Sequence, residues 1–212
     1  MKPKVTFVTD PLCSWCWAML PDIEQLRIDM TEWLDFDLMM AGLQVGGPEP
    51  PTPHQAGMLK DMWRHVGDTT GQTFLGKLPD DPGFIYHSEV ACRAIEIMRG
   101  HLQQPPWEYF HAVQQAFYLE ARNINDPVEL TRLAEPFDMQ ADTMAELLQS
   151  TTVIDATRAN FARAKQLGAN ALPSILLDTG EGPKLVCGGW VTAEYLRPDL
   201  EARMQYAHGP AH

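Results

Sequence analysis

A cysteine pair spaced C-x-x-C, at the point where an apolar strand gives way to a helix, constrains this chain more than any other feature. Residues Lys4-Val5-Thr6-Phe7-Val8-Thr9 alternate with period two and are rich in β-branched side chains, which predicts a strand. Asp10-Pro11 breaks it, and apolar periodicity from about Ser14 to Glu32 predicts a helix. Cys13 therefore falls at a helix N-terminus and Cys16 one turn further in. Unpaired backbone N–H groups and the positive end of the helix dipole favour an anion there, hence a thiolate over a thiol. Thiolates in such motifs have pKa values of about 3.5 to 7.5, against about 8.5 for a free cysteine. The spacing predicts an exposed, acidic Cys13 that attacks and a deeper Cys16 that closes a short disulfide with it.

Three other readings compete. Half of a zinc site would need a second closely spaced Cys or His pair. The remaining cysteines, Cys92 and Cys187, are far apart and offer no second close pair, so no metal is expected. A purely structural disulfide is a poor alternative, since so short a loop constrains the unfolded chain little. The third reading is two unrelated buried cysteines acting as small hydrophobes. Cys92, among Val90, Ala94, Ile95 and Ile97, and Cys187, in a strand, fit that description. Asp10 either tunes Cys13 as a nearby carboxylate or serves as the turn residue that Asp before Pro commonly is. Trp15 is a candidate apolar platform for substrate; Trp17 reads more readily as core.

Late in the chain, Ala171 to Leu177 is an apolar strand carrying Pro173 near its start. A glycine-rich turn, Asp178 to Pro183, and a second strand, Lys184 to Trp190, complete a hairpin. Proline is tolerated at the first position of a strand, and an X-Pro bond can be cis where the fold needs it. Leu172-Pro173 is read as such a bond, lying against Cys13, with the Leu172 backbone turned outward to pair with an extended substrate.

Between the two halves lies a long helical stretch. Strand two is expected over Phe36 to Val45, followed by a Gly/Pro linker from Gly46 to Pro53. Helices are expected over His54–Val66, His87–Gln103, Pro106–Arg122, Pro127–Phe137, Ala141–Ser150 and Val153–Leu167. Asp126-Pro127 is a good N-cap with proline at N1, whereas Ser88 opens no capping box. Gly168 suits a helix terminus, and a last helix runs from Thr192 to about Tyr206, with 209–212 fraying. The expected organisation is α/β: residues 1–50 and 151–208 form a discontinuous thioredoxin-fold domain, interrupted by an all-helical insertion, 51–150, between strand two and the proline hairpin.

Acidic residues outnumber basic ones 28 to 16, giving a formal net charge of −12. Without a basic stripe such a chain is a poor binder of nucleic acid or anionic membranes. No apolar run approaches the length of a bilayer span, and Met1-Lys2-Pro3-Lys4 leads straight into strand one without a secretory leader. Cytoplasmic residence is the expectation.

The D-P-L-C-S-W-C-W segment, the helical insertion, the Leu172-Pro173 step and the strings Ala91-Cys92-Arg93-Ala94 and Gln115-Ala116-Phe117-Tyr118 resemble the DsbA-like thioredoxin-fold family, FrnE-type branch. The resemblance covers nearly the whole chain. It implies a thiol-disulfide oxidoreductase in which Cys13 is the nucleophile, Cys16 the resolving thiol and Pro173 the cis proline, acting on protein or small-molecule thiols and disulfides. No resident cofactor is implied beyond glutathione as a co-substrate. Periplasmic members usually carry a histidine before the second cysteine, and Trp15 stands there, so a strong oxidant is not implied. More distantly the chain resembles kappa-class glutathione transferases and 2-hydroxychromene-2-carboxylate isomerases. Those usually have serine in place of Cys13 and lack the second cysteine, so the intact pair favours disulfide exchange. A non-catalytic binding protein on the same scaffold is the third class.

Overall fold

The structure, a computed structural model, describes residues 2–43 and 49–208, with side chains to residue 205. Its sheet has the order β2-β1-β3-β4. The central strand β1 (Lys4–Thr9) pairs in parallel with β2 (Asp35–Met40), Lys4 opposite Asp35 and Thr9 opposite Met40. On its other side it runs antiparallel to β3 (Ser174–Asp178), with Val8 opposite Ser174, and β4 (Lys184–Gly188) closes the hairpin. Every β1 residue after Lys4 is buried, as two covered faces require.

The period-two alternation sorts these side chains between two layers. Val5, Phe7, Ile175 and Leu177 join a core with α1 (Ser14–Met30) and α8 (Ala193–His208). Val8 and Leu176 face the opposite way, into a small cluster with Ala41, Ala164 and Ala169. Ala164 belongs to α7 (Thr151–Gln166), whose small side chains at this point allow it to lie close to the sheet.

The intervening helices are α2 (Pro53–Thr70), α3 (Glu89–Leu102), α4 (Trp107–Tyr118), α5 (Pro127–Ala134) and α6 (Ala141–Gln149). Their apolar faces join the α1 core without a break: Trp63, Ile95, Phe110, Phe117, Leu130 and Leu148 are buried in the same cluster as Phe7 and Leu20. Arg99 of α3 ties this layer to the sheet, its guanidinium bonding the Asp37 carboxylate and the Leu38 carbonyl on β2.

Several boundaries differ from the sequence reading. β2 stops at Met40; Ala41 to Leu43 are irregular, and Gln44 to Pro48, the rest of the expected strand end and the first part of the linker, lie outside the described residues. α2 begins earlier and ends later than expected. Thr52 and Gln55 form a reciprocal capping box with Pro53 at N1, so part of the presumed linker starts the helix, and Gly71 ends it in a left-handed conformation. α4 stops at Tyr118 rather than Arg122, where Ala121 turns left-handed at φ +53° and the Arg122 N–H bonds back to the Ala116 carbonyl. Pro136 converts the end of α5 into a short 3₁₀ turn over Glu135–Phe137. β3 begins after Pro173, and β4 ends at Gly188, two residues before Trp190.

Gly42 is held between β2 and α7. Its φ is +72°, and a Cβ there would lie 2.6 Å from the Phe161 ring. Gly42→Ala is expected to lose about 1–3 kcal/mol of stability through backbone strain and overlap with Phe161. Urea denaturation measures this; a loss below ~0.5 kcal/mol would show that the segment relaxes freely.

Candidate active site

The site grows out of the four-residue step, Asp10 to Cys13, from β1 to α1. Asp10 is the first residue past β1 and has no exposed surface. One carboxylate oxygen accepts the Leu12 N–H at 2.8 Å, forming an Asx turn. The other accepts the Leu43 N–H at 2.6 Å and the Ser88 hydroxyl at 2.6 Å. The Ser88 hydroxyl is itself 2.9 Å from both the N–H and the carbonyl of Leu43. Cys92 Sγ lies 3.6 Å from the same Asp10 oxygen. Asp10 is therefore both a turn residue and a buried junction of three segments. Burial pushes its carboxyl above the ordinary range, against the opposing pull of the bonds from Ser88, Leu12 and Leu43.

The turn delivers Cys13 to the N-cap of α1. Its Sγ accepts the Cys16 N–H at 3.2 Å, in the position where a serine or aspartate oxygen would otherwise cap the helix. The expected exposure of Cys13 needs correction: its relative accessibility is 6 %, because Leu12, Trp15 and Tyr86 close in around the helix start. Cys16 is more deeply buried, at 0 %, as its place one turn in requires. Burial, then the hydrogen bond and charge of Cys13, push the Cys16 thiol well above the ordinary range. Both cysteines are free thiols.

A cleft of about 380 Å³ opens on Cys13, with Leu12, Trp15, Leu43, Tyr86 and Leu172 among the residues that line it. Three sequence-predicted site residues, Cys13, Trp15 and Leu172, thus meet at one cavity. Asp10 and Cys16 lie beneath its wall. The Leu172–Pro173 peptide is cis; Pro173 is buried and is not part of the lining, and its carbonyl accepts the Gly189 N–H at 2.7 Å. Leu172 contributes neither its N–H nor its carbonyl to a hydrogen bond among the described residues.

The two tryptophans part company. Trp15 is half-buried, with its ring edge-on to His65 at 6.0 Å and tilted against Trp190 at 6.4 Å. Trp17 is core: it stacks on Tyr118 at 5.9 Å and donates its indole N–H to the Thr73 carbonyl. Cys92 is fully buried on α3, its thiol pushed well up by burial and then by the charge of Asp10. Cys187 is only partly buried on β4. Among the described residues no cluster of three metal-ligating side chains occurs.

Sequence reasoning missed Leu43, Tyr86 and Ser88. Tyr86 donates its hydroxyl to the Leu12 carbonyl at 2.6 Å, bracing the turn before Cys13. Burial, followed by the charges of Cys13 and Asp10, keeps that phenol protonated. Ser88 stands at the start of α3 without capping it, because its hydroxyl is spent on Asp10.

Depth orders the thiols, so native labelling with iodoacetamide near pH 7 is expected to modify Cys13 before Cys16 or Cys92, whose alkylation requires unfolding. Mass mapping that finds Cys16 labelled as fast as Cys13 contradicts this. Asp10 carries a pH signature. Its folded pKa is raised above the unfolded value of about 3.9, so its contribution is fully present while protonated and is lost as pH rises through the folded pKa. Wild type should lose stability relative to Asp10→Asn as pH increases above about 4; a difference that grows in favour of wild type would reverse the assignment.

Comparison with known proteins accords with this geometry. A candidate protein disulfide isomerase from Nitrosomonas europaea superposes with a TM-score of 0.87 at 29 % identity, over 99 % of this chain and all of that one. The cytosolic disulfide reductase DsbM from Pseudomonas aeruginosa gives 0.74 at 20 % identity, over 95 % and 98 % of the two chains, and its structure with GSH gives 0.70. The ClpXP adapter protein SpxH of Bacillus subtilis (strain 168) is 20 % identical over 179 residues, 82 % of this chain and 58 % of SpxH. The chain thus spans little more than half the length of the curated relatives it matches. With the model of the DSBA-like thioredoxin domain matching residues 4–190, strand β1 through the proline hairpin, the chain belongs to the DSBA-like thioredoxin domain family.

Proposed function

We propose that this chain is a thiol-disulfide oxidoreductase working through the Cys13-Ser14-Trp15-Cys16 dithiol. The observation that carries the proposal is the Cys16 N–H directed at Cys13 Sγ, at the N-terminus of α1 and on the wall of an apolar cleft. A thiolate at that point is stabilised by the amide and by the helix dipole as charge moves onto sulfur. Attack by the Cys13 thiolate on a substrate disulfide breaks its S–S bond and expels one substrate thiolate, which takes up a proton. The Cys16 thiol then gives up its proton and attacks Cys13 Sγ, forming the internal disulfide and releasing the second substrate thiol. Two electrons pass from the dithiol to the substrate; the oxidised protein runs the same steps in reverse against a dithiol.

Substrate is received between Trp15 and Leu172. The rigid Trp15 ring supplies apolar area, and the free backbone groups of Leu172 offer an edge on which an extended thiol-bearing segment pairs as an added strand. Protein and small-molecule disulfides both fit this scheme, with glutathione as a co-substrate, in keeping with the GSH-bound structure of DsbM. The cytosolic setting of DsbM favours a cytoplasmic role here, where a reducing thiol pool keeps accessible dithiols reduced. No helix among the described residues is long and apolar enough to cross a membrane.

Cys13→Ser is expected to abolish reduction of insulin and of glutathione disulfide, whereas Cys16→Ser still attacks and accumulates mixed disulfides visible by mass spectrometry. Wild-type rates in Cys13→Ser would overturn the proposal.

A further inference from the structure

The cleft beside Cys13 is apolar over most of its wall, yet one charged side chain lines it: Lys165, in the last turn of α7. Among the described residues no carboxylate lines the same cavity. Many, though not all, of the chain's other basic side chains pair with a carboxylate; Lys60, Lys77 and Arg163, like Lys165, do not among the described residues. Lys4 pairs with Asp37, Lys184 with Glu181, Arg99 with Asp37 and Arg158 with Glu89. Lys165 is solvent-exposed at the cleft's edge and has no such partner among the described residues, so its charge is free to meet an anion that enters. Asn170, four residues past the end of α7, adds an amide to the same lining, followed by the unpaired backbone of Leu172. The negative end of the α7 dipole helps to hold the ammonium there.

We infer that Lys165, with Asn170, forms an anion subsite of the Cys13 cleft that selects small disulfides bearing carboxylates, such as glutathione disulfide, over neutral or cationic ones. The inference rests on the exchange function proposed above and concerns which substrate that site prefers. A peptidic thiol whose sulfur reaches Cys13 and whose main chain lies along Leu172 shares one cavity with the Lys165 ammonium. Its carboxylate is drawn there by a cation that lacks an internal counterion. The bulk of the molecule, at net charge −12, repels the same anion, so discrimination depends on this local charge. Exchange proceeds by the steps already given: Cys13 attacks, one glutathione thiolate departs with a proton, and Cys16 releases the second.

Single-turnover mixing of the reduced protein with three disulfides tests this: dianionic glutathione disulfide, neutral 2-hydroxyethyl disulfide and dicationic cystamine. For Lys165→Gln, the ratio of the glutathione disulfide rate constant to that of 2-hydroxyethyl disulfide should fall about three- to fivefold, the size of a partly solvated charge pair. The corresponding ratio for cystamine should rise. Lys165→Glu should exaggerate both changes, Lys165→Arg should keep the wild-type ratios, and added salt should shrink the differences. Lys60→Gln, on the exposed face of α2, is the control for net charge alone. Equal ratios in wild type and Lys165→Gln, or the same fall in Lys60→Gln, would overturn the subsite. Exchange with all three disulfides persisting in Cys13→Ser would instead remove the parent proposal, whatever Lys165 does.

Discussion

The Asp10 carboxyl is the junction on which the site depends. It is fully buried and yet receives two backbone N–H groups and a hydroxyl, from the turn before Cys13, from the segment after β2 and from the start of α3. An unpaired carboxylate in that position would be very costly, so burial and bonding must be satisfied together. Because its donors come from three stretches of chain, the group also fixes their relative placement. Cys13, Leu43 and Ser88 are thereby held at one place although more than seventy residues separate the first from the last.

That junction can form only because the helices between β2 and β3 pack on α1 as an extension of the same core. Trp17 shows the coupling: it lies next to Cys16, stacks on Tyr118 of α4 and donates its indole N–H to Thr73 just beyond α2. Gln72 returns the interaction by donating to the Trp17 carbonyl. The beginning of α1 is thus clamped on both sides, by Asp10 and Tyr86 before Cys13 and by the α2–α4 layer after Cys16. In the exchange proposed above, the charge on Cys13 would change within a frame packed on both sides, which suits preorganised stabilisation of a thiolate.

Function follows from how that frame is shaped. Cys16 is sealed and its thiol is hard to ionise, so it is kept from casual reaction with solvent thiols, while Cys13 meets the cleft along a narrow edge. The wall that faces it combines an apolar ring, an unpaired backbone segment and a single unpartnered cation. For the proposed exchange, such a surface would read a substrate by three independent properties: apolar area, extended main chain and negative charge.

The amino-acid sequence by itself carried the C-x-x-C pair and the framework around it. The strand of alternating β-branched residues, the break at Asp10-Pro11 and the C-x-x-C beyond it are local signals, and so are the Asp126-Pro127 cap and the proline before the late hairpin. Periodicity found the helices, and their ends shifted where capping chemistry prevailed over composition, as at Thr52-Pro53 and Ala121. Only the tertiary structure decided how deeply Cys13 is enclosed and which residues brace Asp10. Leu43, Tyr86 and Ser88 have nothing in their own neighbourhoods that names a partner, because hydrogen bonds between segments 30 to 80 residues apart leave no periodic trace in the chain. Lys165 belongs with them: a lysine near a helix C-terminus is unremarkable in sequence, and the role proposed for it comes from its place on a cleft that no carboxylate lines among the described residues.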